Sequence, residues 1–444
     1  MKKNKTVENS STRREFVKNT TLLSAGMLMP TLDIGAMANV LEDKTLKIAL
    51  VGCGGRGSGA ADQALQADDN VELVAMADAF EDRLTSSLNN LSEKYAGTSK
   101  VNVKKKNCFV GFDAYTKAID QADVVILATP PGFRPEHFAY AVENDKHVFM
   151  EKPVATDMPG VRKVLETAKT AKAKKLNVVV GLQRHYQENY LKTLDLLKQD
   201  TIGRIVAGQV YWNSAGVWVK PRKPEYTEIQ YQMRNWYYFN WLCGDHILEQ
   251  HIHNIDVANW FIGEYPISAQ GMGGRLVRTG KEYGEIFDHH FVEYTYPSGA
   301  VIASQCRHQP NTMYRVGEAF QGTKGSVITN DAGVAKIMDL DGKELHRIEN
   351  SEGHNPYQEE HNRLFAAIRN KETISNGENG AKSTMAAILG RMATYSGKVV
   401  TWEDAMKSDV RLVPEELSWD MKPPTLPKED GTYPIPVPGA TNVL

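Results

Sequence analysis

The chain has 444 residues, 24% of them charged, with a formal net charge of −2 at neutral pH. That length exceeds one ordinary core and predicts two domains, while the near-balanced charge excludes a basic nucleic-acid surface and a polyanion partner. Four cysteines, Cys53, Cys108, Cys243 and Cys306, show no CxxC spacing, which argues against a disulfide framework and against a thiolate zinc site.

Residues 1–38 stand apart from the globular pattern. The paired Arg13-Arg14 precede a short apolar stretch, Thr21–Met29, and then Ala36-Met-Ala38. This order resembles a twin-arginine export signal, with a disordered basic tail as the alternative. The stretch is too short to span a bilayer, and no other segment reads as transmembrane. The signal reading places the mature start near Asn39 and the protein in the periplasm.

Next comes an apolar run, Lys47–Val51, that reads as a buried parallel strand. It ends in Gly52-x-Gly54-x-x-Gly57, with a helix beginning near Ser58. Glycines without Cβ atoms permit a tight turn and close approach to a pyrophosphate, and the helix N-terminus offers N–H groups to the charge. A second strand, Val71–Ala77, ends in Asp78, 21 residues after Gly57. A carboxylate there accepts from the adenosine ribose and repels a 2′-phosphate, so the pattern predicts NAD rather than NADP.

Further apolar runs at Val124–Thr129, His147–Met150 and Val178–Leu182 alternate with helical patterns at Asp113–Ile119, Pro135–Asn144 and Met158–Lys174. The alternation predicts a doubly wound parallel (Rossmann) sheet over residues 39–199, with Thr129 and Pro130 at a strand's carboxyl edge, where ligands bind. Lys104–Lys106 reads as a solvated surface patch. Beyond residue 200 the pattern changes to β-branched and aromatic strands: Ile205–Trp212, His290–Tyr296, Val301–Arg307 and Ser326–Thr329. Pro297-Ser-Gly299 marks a hairpin. Residues 200–400 are thus predicted as an α+β domain on a mostly antiparallel open sheet. Such a sheet commonly covers one face with a copy of itself, which predicts a homo-oligomer, a dimer or tetramer. Residues 356–397 read as helices packing back on the first domain. Residues 401–444, proline-rich from Pro423 to Pro438, are expected to be extended.

Three groups of residues carry candidate chemistry. Glu151-Lys152-Pro153 follows a strand, so Lys152 projects toward the nicotinamide side, where a desolvated lysine near a cationic ring has a depressed pKa. Its alternative is a surface lysine beside a proline turn. The second group lies on a segment read as one helix, Asp245–Ile262, which places His246, Glu249, His253 and Asp256 on one stripe and turns His251 away from it. On that stripe His253 is a general base or acid, with Glu249 or Asp256 fixing its tautomer. A metal site through His246, Glu249 and His253 is one alternative, and a satisfied polar interface another. The third group is aromatic: Tyr211, Trp212, Trp218, Trp236, Tyr237, Tyr238 and Trp241, either a sugar-stacking platform or core. Arg184, His185 and Tyr186 are placed to reach the same crevice.

Taken together, these motifs resemble the Gfo/Idh/MocA family over most of residues 45–400. The resemblance rests on the glycine loop, Asp78, Ala128-Thr129-Pro130-Pro131, Glu151-Lys152-Pro153, Gly181-Leu-Gln-Arg184 and Glu249-x-x-x-His253-x-x-Asp256. It implies Lys152 and His253 as the catalytic pair for hydride transfer at a sugar or polyol carbon, supported by Glu249 and Asp256. It implies a cofactor site formed by Gly52, Gly54, Gly55, Arg56, Gly57, Asp78, Thr129, Pro130, Glu151 and Lys152, with NAD as the cofactor. Arg184, Tyr186, Trp236 and His246 are the substrate candidates, and no resident metal is expected. Two departures stand out: Glu249 replaces the family's usual Asp, and His251 replaces a usual Gly.

The expected function is an exported NAD-dependent oxidoreductase acting on a secondary hydroxyl of a sugar, glycoside or polyol. Because the twin-arginine route carries folded proteins, its cofactor is expected to be loaded before export and to stay tightly bound. The alternative is an NAD-dependent glycoside hydrolase, whose family members typically read His-Gly-x-Gly-Pro where this chain has His253-Asn-Ile-Asp. A non-catalytic sugar-binding protein on the same fold is a third reading, opposed by the intact Lys152 and His253.

Overall fold

A computed structural model describes residues 44–444; the paired arginines, the apolar stretch, the Ala-x-Ala site and Asn39 lie outside the described residues. Strands β1 (Leu46–Val51), β2 (Val71–Asp78), β3 (Cys108–Val110), β4 (Val124–Leu127), β5 (His147–Met150) and β6 (Val178–Val180) form one parallel sheet in the order β3-β2-β1-β4-β5-β6. Leu73 to Ala77 are all buried, as are all four residues of β4, because helices cover both faces of a parallel sheet. Helices α1 (Gly55–Ala67), α2 (Glu81–Lys94), α3 (Ala114–Ile119), α4 (Arg134–Glu143) and α5 (Met158–Ala173) provide that cover. Strand order reverses between β1 and β4, so their carboxyl ends splay apart and open a crevice.

After α6 (Glu188–Lys198) the chain builds a second sheet from β7 (Ile205–Ser214), β8 (Ser268–Gly274), β9 (His289–Thr295), β10 (Val301–His308), β11 (Arg315–Gly322), β12 (Gly325–Asn330), β13 (Val334–Asp339) and β14 (Glu344–Glu349). Neighbours are antiparallel except β7 and β10, which run parallel over eight residue pairs. The turn at Pro297–Gly299 joins β9 to β10, with Gly299 at φ +82°. Between β7 and β8 lie α7 (Glu228–Arg234), α8 (Asn240–Cys243), α9 (His246–Glu249) and α10 (Ile252–Ile262). The predicted single helix over Asp245–Ile262 is therefore two. The N–H of His251 reaches back five residues to His246 O, and that of His253 only three to Gln250 O, so the regular ladder breaks there.

Helix α11 (Pro356–Arg369) packs on α1, and α12 (Gly377–Ser396) packs on α5 and on β8. Every residue of α12 from Ser383 to Ser396 is buried, as expected of a helix enclosed on all sides. The segment predicted as wholly extended begins otherwise: β15 (Val400–Thr401) adds an edge strand beside β8, and α13 (Trp402–Lys407) follows. From residue 408 the chain has no regular secondary structure, yet it is anchored, with Tyr433 buried in an aromatic cluster.

Candidate active site

Gly52 ends β1 at φ +96°, a conformation that glycine adopts without strain. A Cβ on Gly57 would fall 1.9 Å from Gly52 O, so this glycine lets α1 close onto the strand end. No side chain caps the N-terminus of α1, and Cβ atoms on Gly54 or Gly55 would meet open space. The helix thus presents free amide groups to a cavity of about 330 Å³. Asp78 lines the same cavity; its Oδ2 accepts from Cys53 N at 2.7 Å and its Oδ1 from Phe80 N at 2.8 Å. Burial pushes the Asp78 carboxyl up from the usual carboxylate range, while those amides oppose the shift. An open glycine cradle, an uncapped helix end and an oriented carboxylate fit a dinucleotide, with Gly52, Gly54, Gly55, Asp78, Thr129 and Pro130 around it.

The other predicted cofactor residues support this cavity from outside it. Arg56 pairs with Glu151, lies 3.7 Å from Glu360 and covers the Tyr357 ring at 5.1 Å. Arg134, fully buried, donates to Thr129 O and to Pro153 O, so one guanidinium ties two ligand-facing turns together. Sequence reasoning missed Arg134. It also missed Phe80, Arg83, Phe112, Phe133, His137, Lys220 and Arg234 in the cavity wall, which Trp218 of the predicted aromatic group lines as well. Phe80 and Arg83, directly after Asp78, were open to discovery from their place at the end of β2; Lys220 and Arg234, on the far half of the chain, were not.

Lys152, beside the cis Lys152–Pro153 peptide, reaches across to α9: its Nζ donates to Glu249 O at 2.5 Å and lies 3.4 Å from Glu249 Oε1. The lysine is therefore held in place, and the surface-lysine alternative falls. Burial raises the Glu249 carboxyl, against the lowering effect of Lys152, and its Oε2 has no hydrogen-bond partner among the described residues. His253 opens α10, buried, with its ring stacked 5.9 Å from Trp212 and its Nδ1 unpartnered among the described residues. Burial first, and the Lys152 charge second, hold its imidazole well below the usual histidine range, so it is neutral at neutral pH.

Four expectations are corrected. Neither Glu249 nor Asp256 orients His253: Asp256 is buried and accepts from Ser383 Oγ at 2.6 Å, beside His185 Nε2 at 2.7 Å and Asn379 Nδ2 at 3.3 Å. His246 is not a substrate group; it is fully buried, with Nδ1 2.8 Å from Asp245 Oδ1 and its ring tilted against that of His308 at 4.4 Å. Arg184 is a core residue, ion-paired with the buried Glu318. The Tyr186 hydroxyl bonds Asn376 Oδ1 at 3.0 Å, directed into the contact with the C-terminal helices. His251, expected to turn away from a stripe that the broken helix does not form, bonds Ser304 Oγ at 2.7 Å. Trp236 does line the cavity, edge-on to Trp218, whereas Tyr237, Tyr238 and Trp241 are core.

The metal alternative through His246, Glu249 and His253 is not assembled, because the break after α9 turns their side chains to different partners. Among the described residues one other group, Asp245, His246 and His290, is close enough to hold an ion. Its carboxylate is already saturated by His246 N, Phe287 N and the Tyr395 hydroxyl as well as the two imidazoles. Asp245 sits at φ +77°, a strained conformation for a non-glycine residue that this network over-determines. Burial alone would raise its carboxyl, but His290 and His246 outweigh that and hold it well below the usual carboxylate range.

Comparison with known proteins agrees with this geometry. Residues 46–181 match a family described as an oxidoreductase family with an NAD-binding Rossmann fold, and residues 190–328 match the GFO/IDH/MocA C-terminal domain. The chain is 26% identical over 224 residues to 2,7-anhydro-N-acetylneuraminate hydratase of Escherichia coli K12, covering 50% of this chain and 56% of the hydratase. Just over half of that relative is thus spanned. Inositol 2-dehydrogenase of Rhizobium meliloti is 24% identical over 287 residues, 64% of this chain and 75% of the dehydrogenase. Among solved structures, an aldose-aldose oxidoreductase from Caulobacter crescentus complexed with glycerol superposes with a TM-score of 0.64 at 17% identity, covering 81% of this chain and 100% of that one. A levoglucosan dehydrogenase in complex with NADH and levoglucosan gives 0.62 at 16% identity, covering 80% and 99%. Both share this fold.

Proposed function

The chain belongs to the Gfo/Idh/MocA oxidoreductase family, whose N-terminal domain binds NAD, and on that premise we propose that it oxidises or reduces a secondary hydroxyl carbon of a sugar, glycoside or polyol. The observation that carries this reading is Lys152, fixed by Glu249 and close enough to the neutral His253 for its charge to act on that imidazole, in a chain whose dinucleotide cavity is lined by Asp78. His253 takes the proton of the substrate hydroxyl, and the Lys152 ammonium polarises the same oxygen. NAD, when bound, supplies the hydride acceptor. Glu249 keeps Lys152 in place; His253 is buried and the other two are partly buried, which limits water around the three groups and strengthens their electrostatic effect. Steady-state assays across sugars and polyols test this: turnover that Lys152→Met and His253→Gln both abolish supports it, and unchanged turnover in both variants contradicts it.

The proposal extends to export through Arg13-Arg14 to the periplasm, to a cofactor that stays bound there, and to a homo-oligomer formed through the open sheet. A second substrate then restores the cofactor's oxidation state. Arg13→Lys with Arg14→Lys should retain the protein in the cytoplasm; unchanged export would rule out this route. The similarity to an enzyme named as a hydratase favours keeping one second reading, a glycoside hydrolase. There the substrate carbon is oxidised, the neighbouring C–H proton is removed, the leaving group departs, water adds, and the hydride returns. Turnover of chromogenic glycosides without any acceptor selects that reading over net redox chemistry.

A further inference from the structure

The wall of the cofactor cavity near Asp78 is built from three parts of the chain distant in sequence. Phe80 belongs to the parallel-sheet half, and its N–H bonds Asp78. Arg234, at the end of α7, places its guanidinium 3.7 Å from the Phe80 ring centre and makes a two-pronged ion pair with Asp82 at 2.7 and 2.8 Å. Trp419, from the irregular C-terminal segment, packs on Phe80 at 5.1 Å and on Phe112 at 4.6 Å. Phe80, Phe112 and Arg234 face the cavity, and Trp419 braces the two phenylalanines from outside it.

Helix α7 is tied on both sides. While Arg234 holds Asp82, Gln232 donates to Thr425 O at 2.8 Å, and Glu228 accepts from the Tyr433 hydroxyl at 2.5 Å. Farther back, Leu412 N bonds Asp157 Oδ2 at 2.8 Å. Opening this end of the cavity therefore requires breaking a bidentate ion pair, unstacking Phe80 from Arg234, and displacing a tail anchored at several points.

We propose that Asp82, Arg234, Phe80 and Trp419 form a clasp over the Asp78 end of the cavity and retain the dinucleotide as a prosthetic group through turnover. The inference rests on the NAD-dependent reading above and gives it a physical means. An exchangeable dehydrogenase needs that end to open in every cycle; here it is bound by contacts from both halves and the tail. Because contact losses act mainly on dissociation, breaking the clasp should speed cofactor loss severalfold per residue.

The test follows cofactor content of the full chain by native mass spectrometry during prolonged dialysis, independently of activity. Wild-type protein is expected to retain stoichiometric NAD(H), while Arg234→Gln, Asp82→Asn and Trp419→Ala lose it severalfold faster. The exchanged pair Asp82→Arg with Arg234→Asp restores the ion pair but not the guanidinium over Phe80, and should recover retention only in part. Asp82 is exposed, so its variant folds even where Trp419→Ala does not. Variants that are folded and retain NAD(H) as long as wild type overturn the clasp, as does wild-type protein that binds added NAD but releases it as fast as the variants. Wild-type protein that binds no NAD, even when it is added, overturns the NAD reading itself.

Discussion

The Nζ of Lys152 lies 2.5 Å from the backbone carbonyl oxygen of Glu249 and 3.4 Å from its carboxylate, linking the end of the parallel sheet to the helix before His253. One ammonium group thus bridges the two halves of the chain. Lys152→Met keeps most of the side chain's length and removes the charge. It should lower kcat by roughly 10²- to 10⁴-fold, the range for a positioned proton-transfer or polarising group, without loss of bound NAD(H). Steady-state kinetics beside cofactor content checks this; a change in KM alone would contradict it.

His253 makes a pH prediction of definite sign. Its imidazole is held below the usual histidine value of about 6.5, so it remains a competent base in mild acid, and the acid limb of kcat/KM should fall below that pH. The Lys152 charge contributes to the depression, so residual activity in Lys152→Met should show its acid limb moved to higher pH. A wild-type limb at or above the usual histidine value would refute this assignment.

Asp245 is predicted to be structural. Replacing it by Asn removes the carboxylate that His246, His290, Tyr395 and two backbone amides share in a fully buried site, and leaving such buried polar groups unsatisfied costs about 1–3 kcal/mol. The native carboxyl is held low, so its stabilisation is present above the ordinary carboxylate pKa and is lost as pH falls through the depressed value. Thermal melts should therefore show Asp245→Asn strongly destabilised at neutral pH and the wild type losing that advantage only in strong acid. Equal melting points at neutral pH would contradict it.

Arg184 separates core from substrate roles. With Arg184→Met the Glu318 carboxylate remains buried without its ion-pair partner, and stability should fall by about 3–5 kcal/mol. The fraction that folds should keep the wild-type KM. A raised KM with unchanged stability would return Arg184 to the substrate.

The parallel sheet and its ligand edge were legible because their signals are local: a run of apolar residues, a glycine turn, a carboxylate one strand later. Lys152 and His253 were legible as residue types with candidate chemistry. Their partners were not. A helical wheel assumes an unbroken ladder, and the five- and three-residue steps around Gln250 rotate His253 away from the line through His246 and Glu249. Arg184 reads as a free cation until Glu318, 134 residues away, is brought beside it. Trp419 lies in a segment with no periodicity at all, and only the folded chain shows it against Phe80. Helix α2 was missed for a different reason: Thr85, Ser86, Ser87, Asn89 and Asn90 are weak helix formers, and tertiary packing overrides them.

The central claim is a resident NAD serving a sugar-oxidising centre built on Lys152 and His253. The most direct measurement is the spectrum of as-purified protein, without added NAD, on addition of candidate sugars and polyols. The account predicts stoichiometric bound nicotinamide that one substrate reduces in a single turnover, with no such change in Lys152→Met. Nicotinamide-free protein that also fails to bind added NAD, or bound nicotinamide reduced equally well without Lys152, would contradict it.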